Sequence, residues 1–225
     1  MNILAVDIGG TSVKILASGQ QEPRRSPSGR EMTPDRMVAV VKDLAAGWKY
    51  DVLGIGYPGL VAHDRIVAEP HNLAPTWVGF DFQAAFDRPV KLLNDAAMQA
   101  LGSYEGGVML FLGLGTGLGS ALVADGVVLP MELAHLSYES ATYEDYVGIR
   151  GLERLGAEKW TEHVILGTTR LIAALHPDDV VIGGGNAKKL KRLPPGCRAG
   201  DNANAFLGGF RMWEGAGHLL SETPT

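Results

Sequence analysis

The sequence predicts an α/β protein folded as two lobes with a cleft between them. Three observations carry that expectation. A strand–glycine turn–strand pattern occurs twice, Ala5-Val6-Asp7-Ile8-Gly9-Gly10-Thr11 lying against Phe111-Leu112-Gly113-Leu114-Gly115-Thr116-Gly117 at an offset of 106 residues (5 to 111). Apolar runs of strand length alternate along the chain with stretches of helical periodicity. The 225 residues, 46% apolar and 20% charged, fall between one and two domains of roughly 150 residues and are apolar enough to pack.

The elements follow in order. Apolar runs at 3–8 and 13–17 are strands joined by Gly9-Gly10-Thr11-Ser12, and 20–31, rich in Pro, Arg and Ser, is a loop without a packing pattern. Thr33-Pro34 starts a helix over 34–48, an N-cap followed by proline in the first turn, with Met37, Val40, Val41, Leu44 and Trp48 on one face. A strand at 52–55, a turn at Pro58-Gly59, a strand at 89–93 and a helix at 96–104 come next. Strands at 108–112 and 120–123 flank the second glycine turn. A helical stretch begins near Thr142, and a clearer helix spans 157–175 with Trp160, Val164, Ile165, Leu171, Ile172 and Leu175 on one face. A strand at 180–182 runs into Gly183-Gly184-Gly185, and a last helix over 203–213 has Asp201 or Asn202 to cap it. The division expected is an N-terminal lobe over 1–93, a C-terminal lobe over 94–213 whose last helix packs back on the first, and a mobile polar tail over 214–225.

Composition removes several classes of function. A net charge of −5 argues against a nucleic-acid binder or a polybasic membrane-surface protein. The single cysteine, Cys197, excludes a disulfide framework or a multi-cysteine metal site and reads as inert, which fits a cytoplasmic protein. Asp7 interrupts the first apolar run and no basic segment precedes it, so the start is not a signal peptide. Residues 106–124 carry no charge, but six of those 19 positions are glycine; the run reads as buried strands around a turn, not a membrane span.

Glycine, 30 of 225 residues, carries the functional argument. No Gly-x-x-x-x-Gly-Lys-Ser/Thr occurs, which excludes a P-loop. A Gly-x-Gly-x-x-Gly occurs at Gly54, Gly56 and Gly59, but Pro58 lies inside it and 60–67 reads as extended, so the helix N-terminus that a dinucleotide site requires is missing. What remains is a hairpin cradle, in which residues without Cβ let successive backbone N–H groups converge on an anion. Gly9, Gly10 and Thr11 form one such turn, Gly115, Thr116 and Gly117 a second, and Gly183 to Gly185 a third. Asp7 beside the first turn suits a magnesium ion, directly or through water. Lys14 either reaches a terminal phosphate or is a solvated charge.

These residues resemble a known family. Val6-Asp7-Ile8-Gly9-Gly10-Thr11 is similar to the first phosphate motif of the sugar-kinase, Hsp70 and actin superfamily. Leu112-Gly113-Leu114-Gly115-Thr116-Gly117-Leu118-Gly119 resembles the second, and Val181-Ile182-Gly183-Gly184-Gly185 the nucleotide-side glycine motif. Over residues 3–213 the chain looks most like ROK sugar kinases, especially bacterial polyphosphate glucokinases. The resemblance implies an actin-like ATPase (ribonuclease H-like) fold with its cleft between lobes. It implies a hexose substrate with glucose O6 as acceptor, ATP or polyphosphate as phosphoryl donor with Mg2+, and a homodimer. It also implies roles for residues. Asp95 in Asn94-Asp95 is the general base; Gly59 in Tyr57-Pro58-Gly59, Asn72, Asn94, Glu132 and His135 in Glu132-Leu133-Ala134-His135, and Glu153 hold the sugar. Alanine replaces the motif's glycine at Ala134, the cysteines of the family's structural zinc are absent, and a first strand at Ile3 predicts no N-terminal DNA-binding domain.

The residues bear the roles chemically. Asp95, between strand and helix, is either an N-cap or a base, and Asn94-Asp95 offers one residue for each task. Phosphoryl transfer is loose and depends on positioning and electrostatics, so a carboxylate need accept the proton only as bonding develops. Glu132 and His135, at i and i+3, are candidate metal ligands on a helix; lacking a second Glu-x-x-His they suit vicinal sugar hydroxyls better. Lys188, Lys189, Lys191 and Arg192 after the third turn form a solvated face or a track for a polyanion. His63, His163, His176 and His218 read as surface residues without partners. The sequence therefore predicts a sugar kinase, with a sensor that binds sugar or nucleotide without turnover as the alternative.

Overall fold

In the computed structural model, which describes residues 1–214, strands alternate with helices as expected. β1 (Ile3–Ile8), β2 (Ser12–Ala17) and β3 (Arg24–Pro27) are followed by α1 (Pro34–Leu44), β4 (Val52–Tyr57), a small hairpin of β5 (Val61–Ala62) and β6 (Arg65–Ile66), α2 (Phe82–Phe86) and β7 (Val90–Asn94). Then come α3 (Asp95–Ser103), β8 (Val108–Leu114), β9 (Leu118–Ala124), β10 (Val127–Met131), and the hairpin β11 (Ser137–Tyr138) and β12 (Ala141–Thr142). α4 (Tyr143–Val147), α5 (Ile149–Leu175), β13 (Asp179–Gly183), β14 (Arg198–Ala199) and α6 (Asn204–Arg211) complete the described chain. Beyond Glu214, the expected mobile tail lies outside the described residues.

Two five-stranded sheets share one topology. Their orders, β3-β2-β1-β4-β7 and β10-β9-β8-β13-β14, are each an antiparallel meander extended by parallel strands. The repeat read at an offset of 106 is a repeat of this topology: β1–β2 and β8–β9 are the matching hairpins. β1 and β8 are central and covered on both faces, which is why their sequences read as continuous apolar runs. Leu4, Val6 and Ile8 face Met37, Val38 and Val41 of α1 in the first core, and Leu110 and Leu112 face Trp160 and Val164 of α5 in another.

Between the sheets lie α3 and α6. α3 follows the first sheet, yet its alanines and Met98 join the core of β8, β9 and β10; α6 follows the second sheet, yet Gly209 packs on Ala5 of β1 and on Gly54 of β4. The two helices cross at a distance set by glycine: a Cβ on Gly102 would collide with the Asn204 carbonyl, and one on Gly208 with the Met98 carbonyl. Gly54 and Gly56, two of the three glycines in the rejected dinucleotide pattern, accommodate Gly209 and Met98. Their spacing of two places both on one face of β4.

Several expectations are corrected. The patternless loop at 20–31 contains β3, an exposed edge strand with no apolar face to show in sequence. It is anchored by Arg24, whose guanidinium stacks 4.0 Å over Trp48 and donates to the Leu44 and Ala46 carbonyls. The same contacts close α1 at Leu44 instead of residue 48. The second hairpin extends into β10 through Asp125-Gly126, both at positive φ (51° and 77°), an arrangement that favours Asp-Gly in two-residue turns. α5 begins at Ile149 but breaks at Gly156 (φ 76°, ψ 162°), so the helix expected over 157–175 is its second half. Neither Asp201 nor Asn202 is the N-cap of α6; Ala203 is, and Asp201 accepts a bond from the Ala203 N–H.

Because the α3–α6 crossing leaves no room for a methyl group, Gly208→Ala is expected to destabilise the protein by about 3 kcal/mol or more, read as the shift in urea midpoint.

Candidate active site

A cleft of about 1190 Å³ opens where the ends of β1, β4, β7 and β8 meet. Its lining brings together most of the residues singled out in the sequence: Gly10, Thr11, Gly59, Asn72, Asn94, Asp95, Gly115, Thr116, Gly117, Glu132, His135, Gly184 and Gly185. Asp7, Gly9, Lys14, Gly183 and Glu153 do not line it.

The first turn is closed by the Gly9 N–H on the Ser12 carbonyl (2.9 Å), and the second by the Gly115 N–H on the Gly117 carbonyl (3.2 Å). Among the described residues, the N–H groups of Gly10, Thr11, Thr116 and Gly117 have no backbone acceptor. Unpaired amides on two turns of one cleft are donors of the kind that an anion cradle requires. The second turn is held from behind: Thr116 O accepts from the Ile149 N–H (3.0 Å) and Gly115 O from the Asn186 amide (2.9 Å). The third turn lies against it. Gly184, at φ 85°, passes so close to Leu114 that a side chain would strike its backbone, while Gly183 is a buried residue of β13.

Asn94 and Asp95 divide their tasks. Asn94 caps α3, its Oδ1 accepting from the Ala96 and Ala97 N–H groups (2.9 and 3.3 Å), and its Nδ2 donates to the Gly59 carbonyl (3.0 Å). Its amide therefore fastens the Pro-Gly loop to the helix, with one N–H not used by the protein. Asp95 is not the cap. Its carboxyl is half-buried at the cleft floor and faces the charges of Asp7 and Glu132; desolvation first, then Asp7, raise its pKa from the usual 3.8 to about 7, against the lowering effect of the Ala96 N–H, from which its Oδ1 accepts at 2.7 Å. Instead of an ordinary surface carboxylate, the protein presents a group poised to exchange a proton near neutrality.

Asp7 points from β1 toward the same seam. Being two residues from Ala5, it lies on the face that α6 covers, and it is buried. Lys14 stands opposite in the β1–β2 register and closes a 2.9 Å ion pair with it. Of the two readings for Lys14, neither includes this pair: one of the ammonium's three donors is taken by Asp7, and the side chain is 36% exposed. Among the described residues no group of three or more His, Cys, Asp or Glu gathers to cage a metal.

The residues expected on the sugar side come from loops. Asn72 packs directly on Gly10. Glu132 and His135 lie on a 3₁₀ turn, not an α-helix, with Nε2 and Oε2 3.6 Å apart and both side chains more than half exposed. Three residues per turn stack i over i+3, so the expected adjacency holds in a different element. Ser120 fixes this turn, its hydroxyl donating to the Met131 carbonyl and accepting from the Leu133 N–H.

Glu153 is corrected: it is exposed on α5 and away from the cleft, since the helix turns that part of its surface outward. Glu144, on α4 beside Gly117, lines the cleft with Arg150. Gln99, Glu69, His71 and Arg30 also line it and were missed. Gln99 was legible, one helical turn after Asp95. Glu69 accepts bonds from the Trp77 and Val78 N–H groups (3.0 and 3.2 Å), a tie no local pattern announces. His163 is corrected as well: it is half-buried, with Nδ1 3.1 Å from the Tyr138 hydroxyl and its ring against Tyr146. His63 and His176 are exposed, and His218 lies outside the described residues. Burial pushes the Cys197 thiol up to about 11, in keeping with inertness. Lys188, Lys189 and Lys191 are exposed after the third turn, and Arg192 pairs loosely with Glu158.

Two matched sheets, crossed helices and opposed glycine turns around one cleft define the actin-like ATPase fold, here in its sugar-kinase form. A model of the ROK family matches residues 3–130, and the chain belongs to that family. It is 28% identical to a polyphosphate glucokinase of Mycobacterium tuberculosis over 216 residues, covering 84% of this chain and 80% of that protein. It is 27% identical to a kanosamine kinase of Amycolatopsis mediterranei, covering 85% and 83%. Among solved structures, the inorganic polyphosphate/ATP-glucomannokinase of Arthrobacter sp. strain KM superposes with a TM-score of 0.79 at 25% identity, over 92% of this chain and 96% of that one. No helix among the described residues is long and apolar enough to cross a membrane.

The raised Asp95 pKa has a consequence for stability. Between pH 4 and 7 the folded protein holds a proton that the unfolded chain releases, so this contribution is fully present below pH 4 and is lost as pH rises through 7. Asp95→Asn keeps the neutral shape at every pH. Its melting temperature is expected to rise above that of the wild type progressively from pH 5 to 8, by a few degrees at the plateau, as calorimetry across that range will show.

Proposed function

We propose that this protein is a cytoplasmic sugar kinase transferring a phosphoryl group from polyphosphate or ATP to a hexose hydroxyl, with glucose O6 the leading acceptor. One observation carries the reading: a carboxyl with a pKa near 7 stands at the floor of a cleft flanked by two glycine turns whose amides lack acceptors. The kinases among its relatives support the reaction class.

In this reading the donor's terminal phosphates rest on the amides of Gly10–Thr11 and Thr116–Gly117, and Gly184–Gly185 flank the rest of the donor. The sugar lies between Asn72, the Gly59 loop and the Glu132–His135 pair. Asp95, of the C-terminal lobe if the lobes divide at 93/94, accepts the hydroxyl proton as the new P–O bond forms. Its near-neutral pKa matches that task, because enough carboxylate is present at pH 7 and the proton is held once taken. A bound magnesium would supply charge neutralisation at the donor phosphates. One or two carboxylates with phosphates and waters suffice for it, and Asp7, whose Oδ2 pairs with Lys14 and which does not line the cleft, would hold it through water with its other oxygen. The exposed lysines after the third turn favour a long polyanion as donor, and the family resemblance favours a homodimer.

A coupled assay over several hexoses, with ATP and polyphosphate as separate donors, tests the reading; sugar binding without turnover for any pair would establish the sensor instead. Asp95→Asn is expected to lower kcat by a factor of about 10² to 10⁴ with hexose binding largely kept. In the wild type, kcat/KM is expected to rise with pH and level off above about 7 as Asp95 loses its proton, measurable as a pH–rate profile.

A further inference from the structure

The cleft is short of positive charge for a site that receives a polyanion. Four carboxyls line it, Glu69, Asp95, Glu132 and Glu144, against two arginines, Arg30 and Arg150. Arg150 is neutralised by Glu144 (3.1 Å) and Asp145 (2.9 Å). Lys14, the cation nearest the first turn in the sequence motif, is bound to Asp7 and does not line the cleft. That leaves Arg30, which makes no ion pair or hydrogen bond with any other described residue.

Arg30 is not on a free loop. Ser28 donates its N–H to the Thr11 carbonyl (3.1 Å) and its hydroxyl to the Gly9 carbonyl, lacing the segment onto the first glycine turn from outside. Gly29, at φ 135°, then bends the chain so that both it and Arg30 line the cleft. The Met32 N–H on the Gly29 carbonyl (2.8 Å) closes the bend. A guanidinium with five donors thereby lines the same cleft as Gly10 and Thr11, whose amides lack acceptors.

We propose that Arg30 is a donor-binding residue that grips the terminal phosphates of a triphosphate or longer polyphosphate held on the Gly9–Thr11 turn. The assignment rests on the kinase reading. It adds a fixed fork of donors where the backbone amides alone would face a net negative cleft. A planar guanidinium suits phosphate oxygens through two parallel bonds, which an ammonium at the same position does not reproduce.

The test uses the full chain and inorganic tripolyphosphate, which carries the phosphate chain common to both donors. By titration calorimetry, Arg30→Ala is expected to weaken tripolyphosphate about 10- to 100-fold, with glucose affinity and melting temperature unchanged because the side chain is exposed. Arg30→Lys is expected to recover only part of the loss. Arg25→Ala, which removes an exposed arginine of β3 that does not line the cleft, is expected to change binding by less than about twofold, allowing only for long-range screened charge. In turnover, Arg30→Ala should raise the donor KM and leave the hexose KM in place. Unchanged tripolyphosphate affinity in Arg30→Ala, an equal loss in Arg25→Ala, or no tripolyphosphate binding by the wild type would each overturn the assignment. A wild type that turns over normally while Arg30→Ala matches it sinks Arg30 alone. Binding that depends on Arg30 in a protein without turnover sinks the kinase reading and leaves the phosphate site standing.

Discussion

The chain passes from one sheet to the other at a single peptide bond, between Asn94 at the end of β7 and Asp95 at the start of α3. β7 hydrogen-bonds into the first sheet, and α3 packs its apolar face on the second. Whatever stands at this junction is held at the seam between the two, and the seam is where the glycine turns of both sheets open. Asn94 closes the helix N-terminus and reaches back to Gly59, and its Oδ1 shares the Ala96 N–H with Asp95, whose own Oδ1 accepts from it at 2.7 Å. One Asp95 oxygen is thus tied to the helix start, and the carboxyl stands at the floor of the cleft with its other oxygen free of the cap. The position of the proposed base thus follows from topology and from one asparagine side chain.

The same placement sets its proton affinity. A carboxyl on an open helix end would ionise near pH 4. Here partial burial, Asp7 on the first sheet and, more weakly, Glu132 beside the second all disfavour the charged form, and they outweigh the backbone N–H groups that favour it. Asp7 in turn tolerates burial because Lys14 pairs with it across the hairpin. Removing the lysine's charge from the cleft in this way explains how a site can keep a basic carboxylate and still need a separate cation for an anionic ligand. The two requirements conflict if one lysine must meet both; with Lys14 paired to Asp7, Arg30 is the cation proposed for the second.

How much of this was legible depends on the range of the interaction. The glycine hairpins, the Asn-Asp junction and the amphipathic face of 157–175 are local patterns, and each folds as its residues imply. The edge strand β3 was not legible, because exposed on both sides it has no alternation to show and is held by Arg24 stacked on Trp48, two dozen residues away. The cleft residues that escaped notice have the same cause. Glu69 is tied to a loop eight residues on, and Arg30 is brought in by Ser28, which bonds a turn nineteen residues before it; neither spacing has a periodicity that marks it. Glu153 was misplaced for the opposite reason: a motif alignment gives position along a helix but not the direction that helix faces. Gln99, one turn beyond Asp95, was within reach of the helical repeat and was the avoidable omission.

The exchange of helices between sheets also ties the halves together. Each sheet is covered by the helix that follows the other one, so neither sheet completes its own core and the two cannot be separated without stripping both. Their contact is backbone against backbone at Gly102 and Gly208, which leaves no side chain to change rotamer and absorb a shift. The α3–α6 pair is therefore the shared element that holds the two sheets in one arrangement. Ala96, packed on Gly119 of the second sheet while bonded to Asn94 at the end of the first, ties the start of α3 to both, so the place of Asp95 between the glycine turns is set by packing on either side of it.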